Sequence, residues 1–138
     1  MKIAIIDGQG GGIGKHITEK IRKALGDKVE IYALGTNSVA TAQMLKAGAN
    51  EGATGENAIV FTVPRVKLIL GSIGIVYPNA MLGELTPKMA EAIANSPAKK
   101  ILLPIHRLNM ELVGISSEPL PHYIEQLIKK VTDYVQRA

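Results

Sequence analysis

The sequence predicts an α/β protein of Rossmann-like type: three layers, with a mostly parallel sheet, helices on both faces and an antiparallel C-terminal hairpin strand. Three observations carry that expectation. Short apolar runs alternate with amphipathic stretches, a cluster of glycines follows the first run directly, and no linker or low-complexity tract divides the chain, so residues 1–138 are expected to form a single Rossmann-like nucleotide-binding domain.

Lys2 to Asp7 is a nearly continuous apolar run, the pattern of a strand covered on both faces. Ile13, Ile17, Ile21, Ala24 and Leu25 then recur at helical spacing, with Lys15, Glu19, Lys20, Arg22 and Lys23 opposite them and Gly26 as the stop. Val29 to Leu34 reads as the second strand and Ser38 to Ala47 as the second helix. Ala49 to Thr54 suits a short third strand. Residues 56–63 carry the β-branched residues of a strand but occupy the place of a helix in the alternation, and helix is the choice made, ended by Pro64. Lys67 to Leu70 is the fourth strand. Thr86 is the expected N-cap of the next helix, with Pro87 at its first position. Lys100 to Ile105 and Met110 to Ile115 read as a hairpin around residues 106–109, and a last amphipathic helix carries Ile124, Leu127, Ile128, Val131 and Val135.

Composition narrows the function classes. The 138 residues are 46% apolar and 20% charged, the balance of a globular protein. Without cysteine there are no disulfides, thiolate nucleophiles or Cys-based zinc sites, and no pair of histidines has metal-ligand spacing, so no metal site is expected. The net charge is +4, yet the basic residues are spread along the chain, and one Phe, four Tyr and no Trp offer little for bases to stack on. Nucleic-acid binding is therefore not expected. No run reaches a membrane-spanning length and the first residues lack the pattern of a signal peptide, so a cytoplasmic protein with no membrane partner is expected.

The first loop is the main functional candidate. In an open parallel sheet, ligands sit beyond the carboxyl ends of the strands where the winding reverses, and the amides opening the following helix favour an anion. Gly8, Gln9, Gly10, Gly11, Gly12, Ile13 and Gly14 are accordingly expected to bind the phosphate portion of a nucleotide-type small molecule, helped by Thr36, Asn37 and Ser72. Asp7 is expected to hold that loop by accepting backbone hydrogen bonds, and Glu84 to serve a helix start.

The string Asp7-Gly8-Gln9-Gly10-Gly11-Gly12-Ile13-Gly14 resembles the T-G-x-x-x-G-I-G loop of short-chain dehydrogenases/reductases, with Gly8, Gly12 and Gly14 on the three family glycines. That resemblance implies NADP or NAD as the cofactor. The catalytic Y-x-x-x-K of those enzymes is absent, and Gly35-Thr36-Asn37 follows the second strand instead of a ribose-binding acid, which fits a 2′-phosphate or no adenosine ribose contact better than NAD. Gly11-Gly12-Ile13-Gly14-Lys15 also resembles the deviant phosphate loop of the MinD/ParA ATPases, implying ATP as the alternative, although His16 stands where that loop needs a hydroxyl for magnesium. Nearly the full chain resembles a short bacterial family of Rossmann-like proteins of unknown function, through the first loop, Gly71-Ser72-Ile73-Gly74-Ile75-Val76 and Gly83-Glu84-Leu85-Thr86-Pro87.

No residue set identifies a reaction, so whether the protein is an enzyme stays open. The leading expectation is a nucleotide- or dinucleotide-binding protein, with a regulatory role open to it. A small enzyme is the alternative: His106 as acid or base, with Arg107 holding an anionic substrate. A non-catalytic assembly module is the third. The apolar, glycine-flanked Met81-Leu82 is the expected contact of a homodimer.

Overall fold

Every residue from Ile3 to Asp7 is buried in the computed structural model, which describes residues 1–138, because strand β1 (Lys2–Asp7) lies at the centre of the sheet. It pairs in parallel with β2 (Glu30–Gly35) on one side and β4 (Leu68–Ser72) on the other. The remaining strands, β3 (Glu51–Thr54) and β5 (Lys99–Leu103), form the edges, in the order β3-β2-β1-β4-β5. All four pairings are parallel.

Alternation along the strands feeds two separate cores, since successive side chains leave a strand on opposite faces. Ile3, Ile5, Leu68 and Leu70 meet α1 (Gly12–Leu25), α2 (Ser38–Lys46) and α5 (Leu120–Arg137) through Ile17, Ile21, Met44, Ile124, Leu127 and Val131. On the other face Ala4, Ile6 and Ile69 meet α3 (Glu56–Thr62) and α4 (Pro87–Asn95) through Ile59, Met89, Ala90 and Ile93. The ambiguous segment before Pro64 is thus a helix, as its place in the alternation required. Thr86 caps α4 as expected, its hydroxyl accepting the Met89 N–H at 3.2 Å.

One expected element does not form. Met110 to Ile115 is not a strand, and the sheet has no antiparallel member. The chain leaves β5 at the carboxyl end of the sheet and α5 must start near that end to run back across it, so residues 104–119 stay there as irregular structure. Gly114 adopts a φ of 86°, and Val113 and Ile115, whose β-branched side chains prompted the strand assignment, are exposed. With no sheet face to bury them, their strand propensity counts for little.

Arg22 ties the opposite end of the molecule together. Its guanidinium donates to the carbonyls of Gly26 (2.6 Å), Gly48 (3.0 Å) and Val29 (3.1 Å) and to Asn50 Oδ1 (2.5 Å), joining the ends of α1 and α2 to β2. Arg22→Ala leaves those carbonyls without their charged donor and is expected to cost about 2 kcal/mol. A urea midpoint that falls with an unchanged slope would register it.

Candidate functional site

The winding runs from β1 outward to β3 and then returns to β4, so it reverses between β1 and β4. A cavity of about 510 Å³ opens at that point, within the usual range for small-molecule sites. Three loops line it: Asp7, Gly8, Gln9 and Ile13 after β1; Ser72, Gly74 and residues 79–82 after β4; and residues 105–108 after β5. A smaller groove of about 300 Å³ lies between α1 and α5, bordered by Lys20 and Lys23, and shares no lining residue with this cavity.

Asp7 organises the first loop. Its carboxylate accepts the Gly8 N–H at 2.8 Å and the Gly14 N–H at 2.6 Å, bending the chain from strand to helix. Burial pushes its carboxyl above the usual range; the bonds from Gly14 and Gly8 pull the other way, and the charge of Glu84 adds to the rise.

The glycines divide by purpose. A Cβ on Gly14 would come within 2.7 Å of Met44 Sδ and 2.8 Å of Asp7 Cβ, and one on Gly11, where φ is 75°, within 2.8 Å of the Ala40 backbone. These two let α1 pack against β1 and α2. Gly10 and Gly12 have no such neighbour within 4 Å and no positive φ. Nothing inside the fold demands glycine at either position. The amides of Gly10, Gly12 and Ile13 also find no acceptor within the chain, leaving donors at the start of α1 available to a guest.

Glu84, which the sequence placed at a helix start, instead crosses to the first loop. Its Oε1 accepts from the Gln9 amide (2.9 Å), the Thr36 hydroxyl (2.7 Å) and the Asn37 side-chain amide (2.8 Å). These donors hold its carboxyl below the ordinary value, Gln9 and Thr36 most strongly, against partial desolvation. Gly8 makes room for this, since a Cβ there would lie 2.4 Å from Thr36 Oγ1 and 3.1 Å from Glu84 Oε1. The connection that delivers Glu84 is strained: Asn79, Met81 and Leu82 have φ of 66°, 60° and 57°, a conformation that bulky side chains rarely adopt.

A group with a lowered native carboxyl contributes stability above its unfolded value, here 4.5, and loses that contribution as pH falls through the lower native value. Glu84→Gln removes this contribution. The melting temperatures of wild type and variant are therefore expected to differ at pH 7 and to converge below pH 4.5. Asp7, shifted upward chiefly by burial, has the opposite slope, and only the part of its rise that comes from the Glu84 charge differs between the two proteins.

The structure brings half of the sequence-derived candidates together at the cavity. Gly8, Gln9, Ile13 and Ser72 line the cavity, as do His106, half-buried, and Arg107, exposed at the rim. His106 Nδ1 accepts the Leu108 N–H at 3.0 Å, which in the neutral ring assigns the proton to Nε2. Thr36 and Asn37 do not reach the cavity. Both are bound to Glu84, and Asn37 also caps α2 by accepting the Ala40 N–H at 2.9 Å. The role of Glu84 had no local signature, because its partners Gln9, Thr36 and Asn37 are distant in sequence.

A protein-family profile described as a domain of unknown function, DUF3842, matches residues 2–136. The chain belongs to that family. The short family of unknown function resembled by nearly the whole sequence is thus supported, whereas the likenesses to short-chain dehydrogenases/reductases and MinD/ParA ATPases are not. Among solved structures, the chain shares its fold with a dodecameric FMN-dependent UbiX-like decarboxylase from Escherichia coli O157:H7. The TM-score is 0.54 at 12% identity, over 97% of this chain and 94% of that one. No curated protein matches the chain. No helix is long and apolar enough to cross a membrane.

The expectation of NADP, NAD or ATP is overturned: the solved structure sharing the fold is an FMN-dependent protein. The geometry supplies a reason against a dinucleotide, whose adenosine half lies over the end of the second strand in this type of sheet. Here Glu84, Thr36 and Asn37 fill that place, and the cavity is lined only by the loops after β1, β4 and β5.

Proposed function

We propose that this protein binds a mononucleotide-type phosphate ester in the crevice between β1 and β4, with flavin mononucleotide as the first ligand to test. The observation that carries this reading is the pairing of open space above Gly10 and Gly12 with the unpartnered amides of Gly10, Gly12 and Ile13, beside a 510 Å³ cavity. A phosphate fits that chemistry: backbone donors at a helix start, the Ser72 hydroxyl across the crevice and the Arg107 guanidinium at the rim. The cavity's apolar residues, Ile13, Ala80, Met81, Leu82, Ile105 and Leu108, suit the flat ring of a flavin. When bound, a flavin supplies electron-transfer or ring-centred covalent chemistry. The chain's own part is to hold the phosphate, orient the ring and shield it from water.

Titration of flavin fluorescence with FMN and with riboflavin tests this directly. FMN is expected to bind at least tenfold more tightly, since only it carries the phosphate, and to raise the melting temperature in proportion to its excess over Kd. Equal affinities, or no binding of either, would overturn the reading.

A catalytic version is favoured by one specific observation. The Leu108 N–H fixes His106 so that Nε2 carries the proton in the neutral ring. In this version Arg107 binds an anionic substrate and His106, its ring oriented by that bond, is the acid or base. An assembled form is favoured by Leu82, which is 98% exposed at the mouth of the cavity beside a partly exposed Tyr77, and by the dodecameric state of the UbiX-like protein. Light scattering should then give a mass above that of one chain, lowered by Leu82→Asp.

A further inference from the structure

We propose that Glu84 is a specificity-determining residue: the chain's own carboxylate fills the β2 side of the crevice and restricts the site to ligands with one phosphate group, rejecting those with an additional nucleotide half. This rests on the mononucleotide reading above and names what enforces it.

Glu84 Oε1 receives donors from two different elements, the first loop through Gln9 and the end of β2 through Thr36 and Asn37, so it bridges the gap where a ligand's second half would pass. The bridge is closed from within, because Asn37 Nδ2 also donates to the Gln9 carbonyl at 2.9 Å. A second phosphate entering here would have to displace a carboxylate from three donors while carrying the same sign of charge. Two further features accompany the placement of Glu84. Gly8 lacks the Cβ that would crowd both Thr36 and the carboxylate, and the connection bearing Glu84 holds Asn79, Met81 and Leu82 at positive φ. On the other side of Gln9, the donors of Gly10, Gly12 and Ile13 stay free. The crevice thus has one anion position open and a neighbouring one occupied by the protein itself.

The test compares FMN, FAD and ADP on wild type and Glu84→Ala, using flavin fluorescence for the first two and calorimetry for ADP. FAD adds an AMP half to the same flavin, and ADP adds a second phosphate to a mononucleotide. Wild type should bind FMN at least tenfold more tightly than FAD and show no ADP binding. Glu84→Ala should narrow that ratio at least tenfold and acquire measurable ADP affinity. If wild type takes FMN and FAD equally well, the role of Glu84 is overturned and the mononucleotide site survives. If wild type binds no flavin, the mononucleotide reading falls, and ADP alone decides: a gain in the variant upholds the role of Glu84, and no gain overturns it. Should Glu84→Ala fail to fold, Glu84→Gln keeps the side-chain length without the charge; ADP affinity and an FMN/FAD ratio both unchanged in it would overturn the proposal.

Discussion

Asp7→Ala is expected to lower the unfolding free energy by about 3 kcal/mol, read as a fall in the urea midpoint. Each buried donor left without an acceptor costs roughly 1–3 kcal/mol, and the substitution orphans both the Gly8 and the Gly14 amides. Relief from burying a charge offsets part of that sum, because burial already pushes the Asp7 carboxyl upward. Asp7→Asn keeps one acceptor and turns an N–H toward the other donor, so its loss should be smaller. A midpoint unmoved by Asp7→Ala would show that the strand-to-helix bend stands without the carboxylate.

Gly12→Val should reduce FMN affinity at least about 100-fold, equivalent to roughly 2.7 kcal/mol, while the unfolding midpoint stays where it is. A Cβ at Gly12 would have no neighbour within 4 Å outside its own helix turn, so valine there is expected to be felt by a guest, and valine in a helix is no worse than glycine. Gly14→Ala provides the contrast. Its Cβ would run into Met44 Sδ and Asp7 Cβ, so stability should fall by about 1–3 kcal/mol from overpacking. If Gly12→Val left FMN affinity intact, the phosphate would have to sit elsewhere.

These glycines also show where the sequence was legible. The parallel order, the two-faced covering and the glycine loop between β1 and α1 follow from local patterns: a six-residue apolar strand, helical stripes, caps and stops. Helix α3 was readable only from its place in the alternation, because Ile59 and Val60 speak for a strand. The false hairpin had the same cause in reverse, since Val113 and Ile115 have strand propensity but no neighbour to pair with. Within the site, the cluster of glycines marked the first loop but could not divide its members between those packed against the fold and those facing open space. Thr36 and Asn37 lie near that loop, where their side chains bond Glu84 and do not line the cavity. Glu84 lies 75 residues from Gln9, and no spacing rule connects them.

That separation bears on how the protein reaches its native state. Because every strand pairing is parallel, each requires a crossover, and pairing across long stretches of chain is slow to form. The bond between Glu84 and Gln9 can close only after β4 has docked beside β1 and the chain beyond it has turned back.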